Sequence, residues 1–291
     1  DGIWGHAVGG MGAITDAMAR EAESLGVELI TDAAVSEIMI QRQTASGVRL
    51  ASGETFDGDL VVVGINPKLL YLDLIDPAHV DAGTRRHFQQ YKCQSGSFRM
   101  NVALSELPHF KARMQEHCLQ GGTIIAPSLA YMDAAFIDAK NLGWSSEPVI
   151  EMLIPSLVDD SLAPPGEHVA SLFCQQFDPA LGEAWDEYRE SVADLIVDTV
   201  EQQAPGFAAS IKGRQILSPR DLEQRFGLVG GDIFHGRMSL DQLFSARPRL
   251  GLAQYKTEFD NLYLCGSGSH PGGGVTGIPG HNAAREILRT L

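Results

Sequence analysis

The sequence predicts a mixed α/β fold: an incomplete Rossmann-type domain interrupted by an inserted sheet-and-helix domain. Three observations lead there. A helical periodicity near the start is followed by short β-type runs that end in a buried apolar strand. The last quarter holds a second buried strand that runs into a glycine-rich loop and a helix. Between these ends the pattern changes to longer strands and one long amphipathic helix, separated by proline-marked loops.

Taken in order, Ile14, Ala17, Met18, Ala22 and Leu25 recur at helical spacing, and Gly26 is the stop signal. Val27-Glu28-Leu29-Ile30 reads as a strand, and Val35 to Ile40 with Val48 to Leu50 as a small antiparallel excursion. Ser52-Gly53-Glu54 turns the chain, and Asp59-Leu60-Val61-Val62-Val63-Gly64 reads as a fully buried strand that exits at Asn66-Pro67. Residues 1–68 are thus expected to belong to the first domain and 69–225 to the inserted one. In the insert, Ser95 to Leu104, Gly121 to Ala126 and Val169 to Gln175 read as strands. Trp185, Tyr188, Val192, Leu195, Ile196, Thr199 and Val200 mark a helix that ends near Pro205-Gly206. Trp4, Trp144 and Trp185 are expected in a core or lining a pocket. Residues 226–291 return to the first domain through a strand, Asn261 to Gly266, and a helix over 279–290. Pro279 suits the first turn of that helix, and Ala283, Ala284, Ile287, Leu288 and Leu291 are its expected apolar face.

Composition narrows the function. The 291 residues suffice for two domains, and 44% apolar with 20% charged residues excludes a disordered or fibrous chain. A net charge of -15 repels phosphate backbones, so nucleic acid is not an expected partner. No apolar run approaches the roughly 18 to 20 residues that span a bilayer. Cys93, Cys118, Cys174 and Cys265 are far apart and form no CxxC, which speaks against dithiol chemistry and for a reducing compartment. The expected location is therefore intracellular, cytoplasmic or, in a eukaryote, mitochondrial. The histidines show no HxH or HExxH spacing, so no metal is expected. Asp1-Gly2-Ile3 has neither a starting Met nor a basic leader, and we expect the chain to be part of something longer.

Glycine carries the strongest signal. It makes up 31 of 291 residues, and seven of them fall between Gly266 and Gly280. Such a stretch, placed between a strand and a helix N-terminus, lets backbone lie against a planar or anionic ligand. A tight loop with no ligand is the other reading of the same residues. The run Leu264-Cys265-Gly266-Ser267-Gly268-Ser269-His270-Pro271-Gly272-Gly273-Gly274-Val275-Thr276-Gly277 resembles the C-terminal flavin signature of the phytoene-desaturase-like FAD oxidoreductases. Gly230-Gly231-Asp232-Ile233-Phe234-His235-Gly236, Leu240 to Leu243 and Ala246-Arg247-Pro248 resemble the same family, nearest its pyridine nucleotide-disulfide oxidoreductase domain-containing branch. Gly9-Gly10-Met11-Gly12 and Val35 to Ile38 complete the family's usual order.

The resemblance implies FAD held in an extended pose between a Rossmann-type domain and a substrate domain. By position, Gly266 and Ser267 would approach the pyrophosphate and ribityl chain, Gly273, Gly274, Val275 and Thr276 would lie along the isoalloxazine, and Gly277 would also bind the cofactor. The main chain of Val35 would meet the adenine end. The family also opens with a strand and G-x-G-x-x-G, which this sequence does not supply: Gly10-Met11-Gly12-Ala13-Ile14-Thr15 ends in Thr and follows no strand. We therefore expect the C-terminal portion of an FAD-dependent dehydrogenase or desaturase, inactive on its own and binding FAD weakly or not at all. Whole, it would pass hydride from an apolar or amphipathic small molecule to flavin N5. The alternative is a flavin-free binding or interaction module on a degenerate flavoprotein scaffold. The catalytic candidates are His270, His235 and Arg247, each also readable as a structural residue. Asp232 and Arg237 could position a polar substrate or lie at the surface. Missing strands would leave a sheet edge through which two copies could pair.

Overall fold

In the computed structural model, which describes residues 5–112 and 115–291, the first apolar stripe forms helix α1 (Gly12–Ser24). Trp4 lies outside the described residues. None of the α1 residues is buried, and Ile14, Met18 and Leu25 stay exposed. Val27 to Ile30 does not form the expected strand. Val27 N donates to Ala22 O and closes the helix instead, and Val27, Leu29 and Ile30 remain exposed. Strands β1 (Val35–Gln41), β2 (Thr44–Leu50) and β3 (Thr55–Asp57) form the antiparallel excursion. Arg42 and Gln43 turn its first hairpin, both at positive φ. Strand β4 (Val61–Val63) is shorter than expected, and Val62 faces outward between two buried valines.

Helix α2 (Pro67–Leu69) starts where Asn66 accepts the Lys68 N–H at 2.9 Å, and α3 (Ala82–Gln90) where Asp81 accepts from Gly83 and Thr84. Strands β5 (Ser97–Leu104) and β6 (Thr123–Ile125) follow, then α4 (Leu129–Leu142), capped by Ser128. Next come β7 (Trp144–Leu153), β8 (His168–Phe177), α5 (Trp185–Gln203), α6 (Phe207–Ser210) and β9 (Ile211–Leu217). Helix α7 (Pro219–Phe226), strand β10 (Leu262–Leu264) and helix α8 (Ile278–Thr290) complete the chain. No helix among the described residues is long and apolar enough to cross a membrane.

The chain divides into two units. One comprises the described residues up to Leu29 together with Gly96–Asp221; the other comprises Ile30–Ser95 and Leu222–Leu291. The first holds an antiparallel sheet in the order β6-β7-β8-β5-β9. Its core joins Phe98, Met100, Ile150 and Leu172 of the sheet to Trp185, Ile196 and Val200 of α5. Trp144 packs at the edge of that core with its ring centre 6.3 Å from that of Trp185.

The second unit holds β1-β2-β3 and the parallel pair β4-β10. Its core gathers Ile38, Val63, Tyr71, Phe88, Phe259 and Leu262, with Tyr71 and Phe88 stacked at 4.2 Å. These contacts explain why the unit boundaries, at 29/30, 95/96 and 221/222, differ from the expected 68/69 and 225/226. The turn after α2 and the helix α3 return their apolar residues to the β4-β10 core, so residues 69–95 stay with it. On the side of β10 away from β4, Leu264 N donates to Tyr255 O at 2.7 Å and Thr257 N to Leu262 O at 3.1 Å.

Candidate functional site

The site grows from the carboxyl ends of β4 and β10, which a parallel pairing brings side by side. Cys265 N still donates to Val63 O at 3.0 Å. One residue later the two chains touch: a Cβ on Gly266 would lie 2.4 Å from Gly64 O, and one on Gly268 would lie 2.3 Å from Pro67 Cδ. Only glycine allows so close an approach, so the loop is pressed onto the start of α2. Beyond it the chain rises to the surface. Gly274, Val275, Thr276 and Gly277 are all exposed, and Gly277 is the left-handed N-cap of α8, where the Thr276 hydroxyl accepts the Ile278 N–H at 3.2 Å. Val275 is the anomaly. It is β-branched, sits at φ 57°, and is 80% exposed, so nothing among the described residues packs against it.

Beneath the loop runs the turn from Asp232 to Met238. A Cβ on Gly272 would meet the Met238 thioether at about 3.0 Å, and one on Gly273 the Phe234 ring at 3.1 Å. Arg247 is fully buried here and donates to the carbonyls of Ser267, Phe234, Gly236 and Gln242. Gln242 in turn accepts the Lys92 N–H at 2.8 Å and donates to the Lys92 and Arg237 carbonyls. Asp232 is fully buried and accepts from Phe234 N at 2.8 Å. Burial pushes its carboxyl above the usual range, opposed by backbone N–H groups and by the Arg247 charge. Burial also lowers the affinity of His235 for a proton, against the Ile65 carbonyl that favours its charged form. Burial raises the Cys93 and Cys265 thiols, which are therefore held as thiols at neutral pH.

The sequence candidates fall into place unevenly. Arg247, His235, Asp232, Ser267 and Gly273 lie in the turn-and-loop assembly of the second unit, whereas Arg237 is exposed. His270 is partly buried, its carbonyl taking a hydrogen bond from Tyr255 at 2.8 Å. Val35 belongs to the other sheet of the same unit, opposite Leu50. Tyr255 and Asn282 escaped the sequence reading, because single polar residues outside any motif leave no signal of their long-range partners.

Four buried polar atoms in this assembly have no hydrogen-bond partner among the described residues: Asp232 Oδ2, His235 Nδ1, Ser269 Oγ and His270 Nδ1. Buried polar atoms are nearly always paired, so each of these four is a place where a partner is missing. The glycine contacts, the exposed Gly274–Gly277 lip and the positive end of α8 suit a flat group that carries negative charge. No cluster able to hold a metal occurs among the described residues.

A sequence profile described as flavin containing amine oxidoreductase matches residues 2–288. The rat protein named pyridine nucleotide-disulfide oxidoreductase domain-containing protein 2 is 40% identical, the alignment covering all of this chain and 52% of that protein. A phytoene desaturase (neurosporene-forming) of Cereibacter sphaeroides is 26% identical over 98% of this chain and 53% of its own length. The chain thus spans about half the length of these curated relatives. Among solved structures, an oxidoreductase from Methanosarcina mazei superposes with a TM-score of 0.61 at 15% identity, covering 98% of this chain and 55% of that one. A redesigned putrescine oxidase gives 0.59 at 14% identity, covering 97% and 53%. At such identities the likeness to the two structures is one of fold.

Proposed function

From the chain's membership of the flavin containing amine oxidoreductase family, we propose that it forms the C-terminal portion of an FAD-dependent dehydrogenase or desaturase that takes hydride from an apolar or amphipathic small molecule. The observation that carries this reading is the glycine loop itself, backed by four unpaired buried polar atoms and a strained, uncovered Val275.

Flavin, when bound, would supply the electron acceptor for the hydride. The chain's own residues bind and orient it. Gly266 and Ser267 offer main chain to the pyrophosphate and ribityl side. Gly273, Gly274, Val275, Thr276 and Gly277 offer a flat edge to the ring, and the α8 N-terminus favours negative charge there. The main chain of Val35 serves the adenine end. His235, its protonation suppressed by burial, can accept a proton or hydrogen bond through Nδ1, and His270 Nδ1 is likewise without a partner. Arg247, with its donors turned to carbonyls, takes no part in contacting substrate.

The test is an FAD titration followed by visible absorbance, on this chain and on a form extended at its N-terminus to the length of the relatives. The extended form should bind FAD stoichiometrically and this chain weakly or not at all. Binding by neither form would overturn the flavin reading in favour of a flavin-free scaffold. Stoichiometric flavin in the short chain would show that its own residues suffice.

A further inference from the structure

Arg247 is a cation sealed inside the second unit. Its Nε and Nη2 donate to Ser267 O at 3.2 and 2.7 Å, and Nη2 also reaches Phe234 O at 2.6 Å. Nη1 donates to Gly236 O at 3.2 Å and Gln242 O at 3.4 Å. Every one of these acceptors is a backbone carbonyl. A guanidinium held by neutral acceptors keeps its whole charge, and enclosing such a charge without an ion pair is costly. Costly features persist where the surroundings require them. Asp232 is the acid that shares this enclosure, but its own burial biases it toward the neutral form. The charge also lies against the glycine loop, for a Cβ on Gly272 would stand 3.4 Å from Arg247 Nε.

We propose that Arg247 is a positioning residue of the flavin site, which pins the Ser267 end of the glycine loop to the Phe234–Gly236 turn and biases the loop's outer face toward the more negative, reduced form of its ligand. The second half rests on the flavin reading above; the first does not. Lysine would keep the charge but present a single point of donors, unable to bridge four carbonyls. Glutamine would lose the charge as well.

Two measurements test this on wild type, Arg247→Lys and Arg247→Gln. The first is amide hydrogen exchange on this chain alone. Both variants should speed exchange at least tenfold at 234–242 and 266–274, while β1 and β2 of the same unit stay protected and so report that it remains folded. Unchanged exchange at both segments overturns the pinning role. Loss of protection in β1 and β2 of Arg247→Lys as well overturns it in favour of a general structural one. The second is the flavin midpoint potential of the N-terminally extended protein loaded with FAD. Arg247→Gln should lower it by about 30 mV or more, the equivalent of tenfold in the ratio of affinities for the two redox forms. Arg247→Lys should stay near wild type. Equal potentials in all three overturn the electrostatic role. If wild type binds no FAD, the flavin reading has failed and the electrostatic half falls with it, while the exchange result still decides the pinning.

Discussion

The phenol of Tyr255 donates to the carbonyl of His270 at 2.8 Å and accepts from Asn282 Nδ2 at 2.9 Å. One hydroxyl therefore ties the glycine loop to the flank of α8. Tyr255→Phe removes both bonds and leaves a partly buried carbonyl and amide unpaired, which should cost about 1–3 kcal/mol. Urea unfolding checks the value, and Asn282→Ala should add little once Tyr255 is Phe. Fully additive losses would show that the two bonds act independently.

Gly266 and Gly280 make a matched contrast: one is pressed onto its neighbour and the other is free. A methyl at Gly266 would collide with Gly64 O at 2.4 Å and force the ends of β4 and β10 apart, whereas one at Gly280 finds Cys265 O only at 3.8 Å. Gly266→Ala should destabilise by about 1–3 kcal/mol. Gly280→Ala, inside α8, should be neutral or stabilise by up to about 1 kcal/mol. Thermal melts of the two variants decide it, and similar shifts would overturn the close-approach account.

How far the sequence revealed this molecule depended on whether the signal was local. The run Leu262 to Leu264, the glycines after it and the presence of α8, though not its expected apolar face (Ala283 is buried and Ile287 half-buried, whereas Ala284, Leu288 and Leu291 are exposed), are all written into adjacent residues. Strand β9 was not, because Lys212, Gly213, Arg214 and Gln215 make an edge strand read as a loop. Strand β7 was hidden by Ser145-Ser146-Glu147-Pro148, which interrupts its pairing with β8 between Trp144 and Val149. Helix α4 lacks a clean stripe, since Leu129, Met132, Phe136 and Ile137 remain exposed. The pairing of Arg247 with carbonyls from three other segments has no local trace at all, because it exists only once the turn and the loop meet.

Val275 holds a left-handed conformation that its branched Cβ resists, and it does so in the open. The strain of such a residue is about 1–3 kcal/mol, against which glycine adds roughly 0.4–1 kcal/mol of unfolded-state entropy. Val275→Gly should therefore stabilise the flavin-free chain by about 1 kcal/mol in a urea titration. A destabilised variant would mean that the valine side chain makes a contact the exposed conformation does not reveal.

Asp232 gives the chain a pH dependence whose direction is set by burial. Its pKa in the folded chain lies above the ordinary 3.8, so the folded state holds the proton more tightly than the unfolded one. The resulting stabilisation is complete below the unfolded value and is lost as pH rises through the folded value. Asp232→Asn keeps an acceptor for the Phe234 N–H but cannot ionise. Wild type should therefore lose stability relative to Asp232→Asn as pH rises above the ordinary carboxylate range, with other groups cancelling in the comparison. Urea midpoints of both proteins at an acidic and at a neutral pH supply the test. If wild type instead gains on the variant as pH rises, the Arg247 charge and the backbone N–H groups outweigh burial, and the enclosed arginine has a carboxylate for its counter-ion.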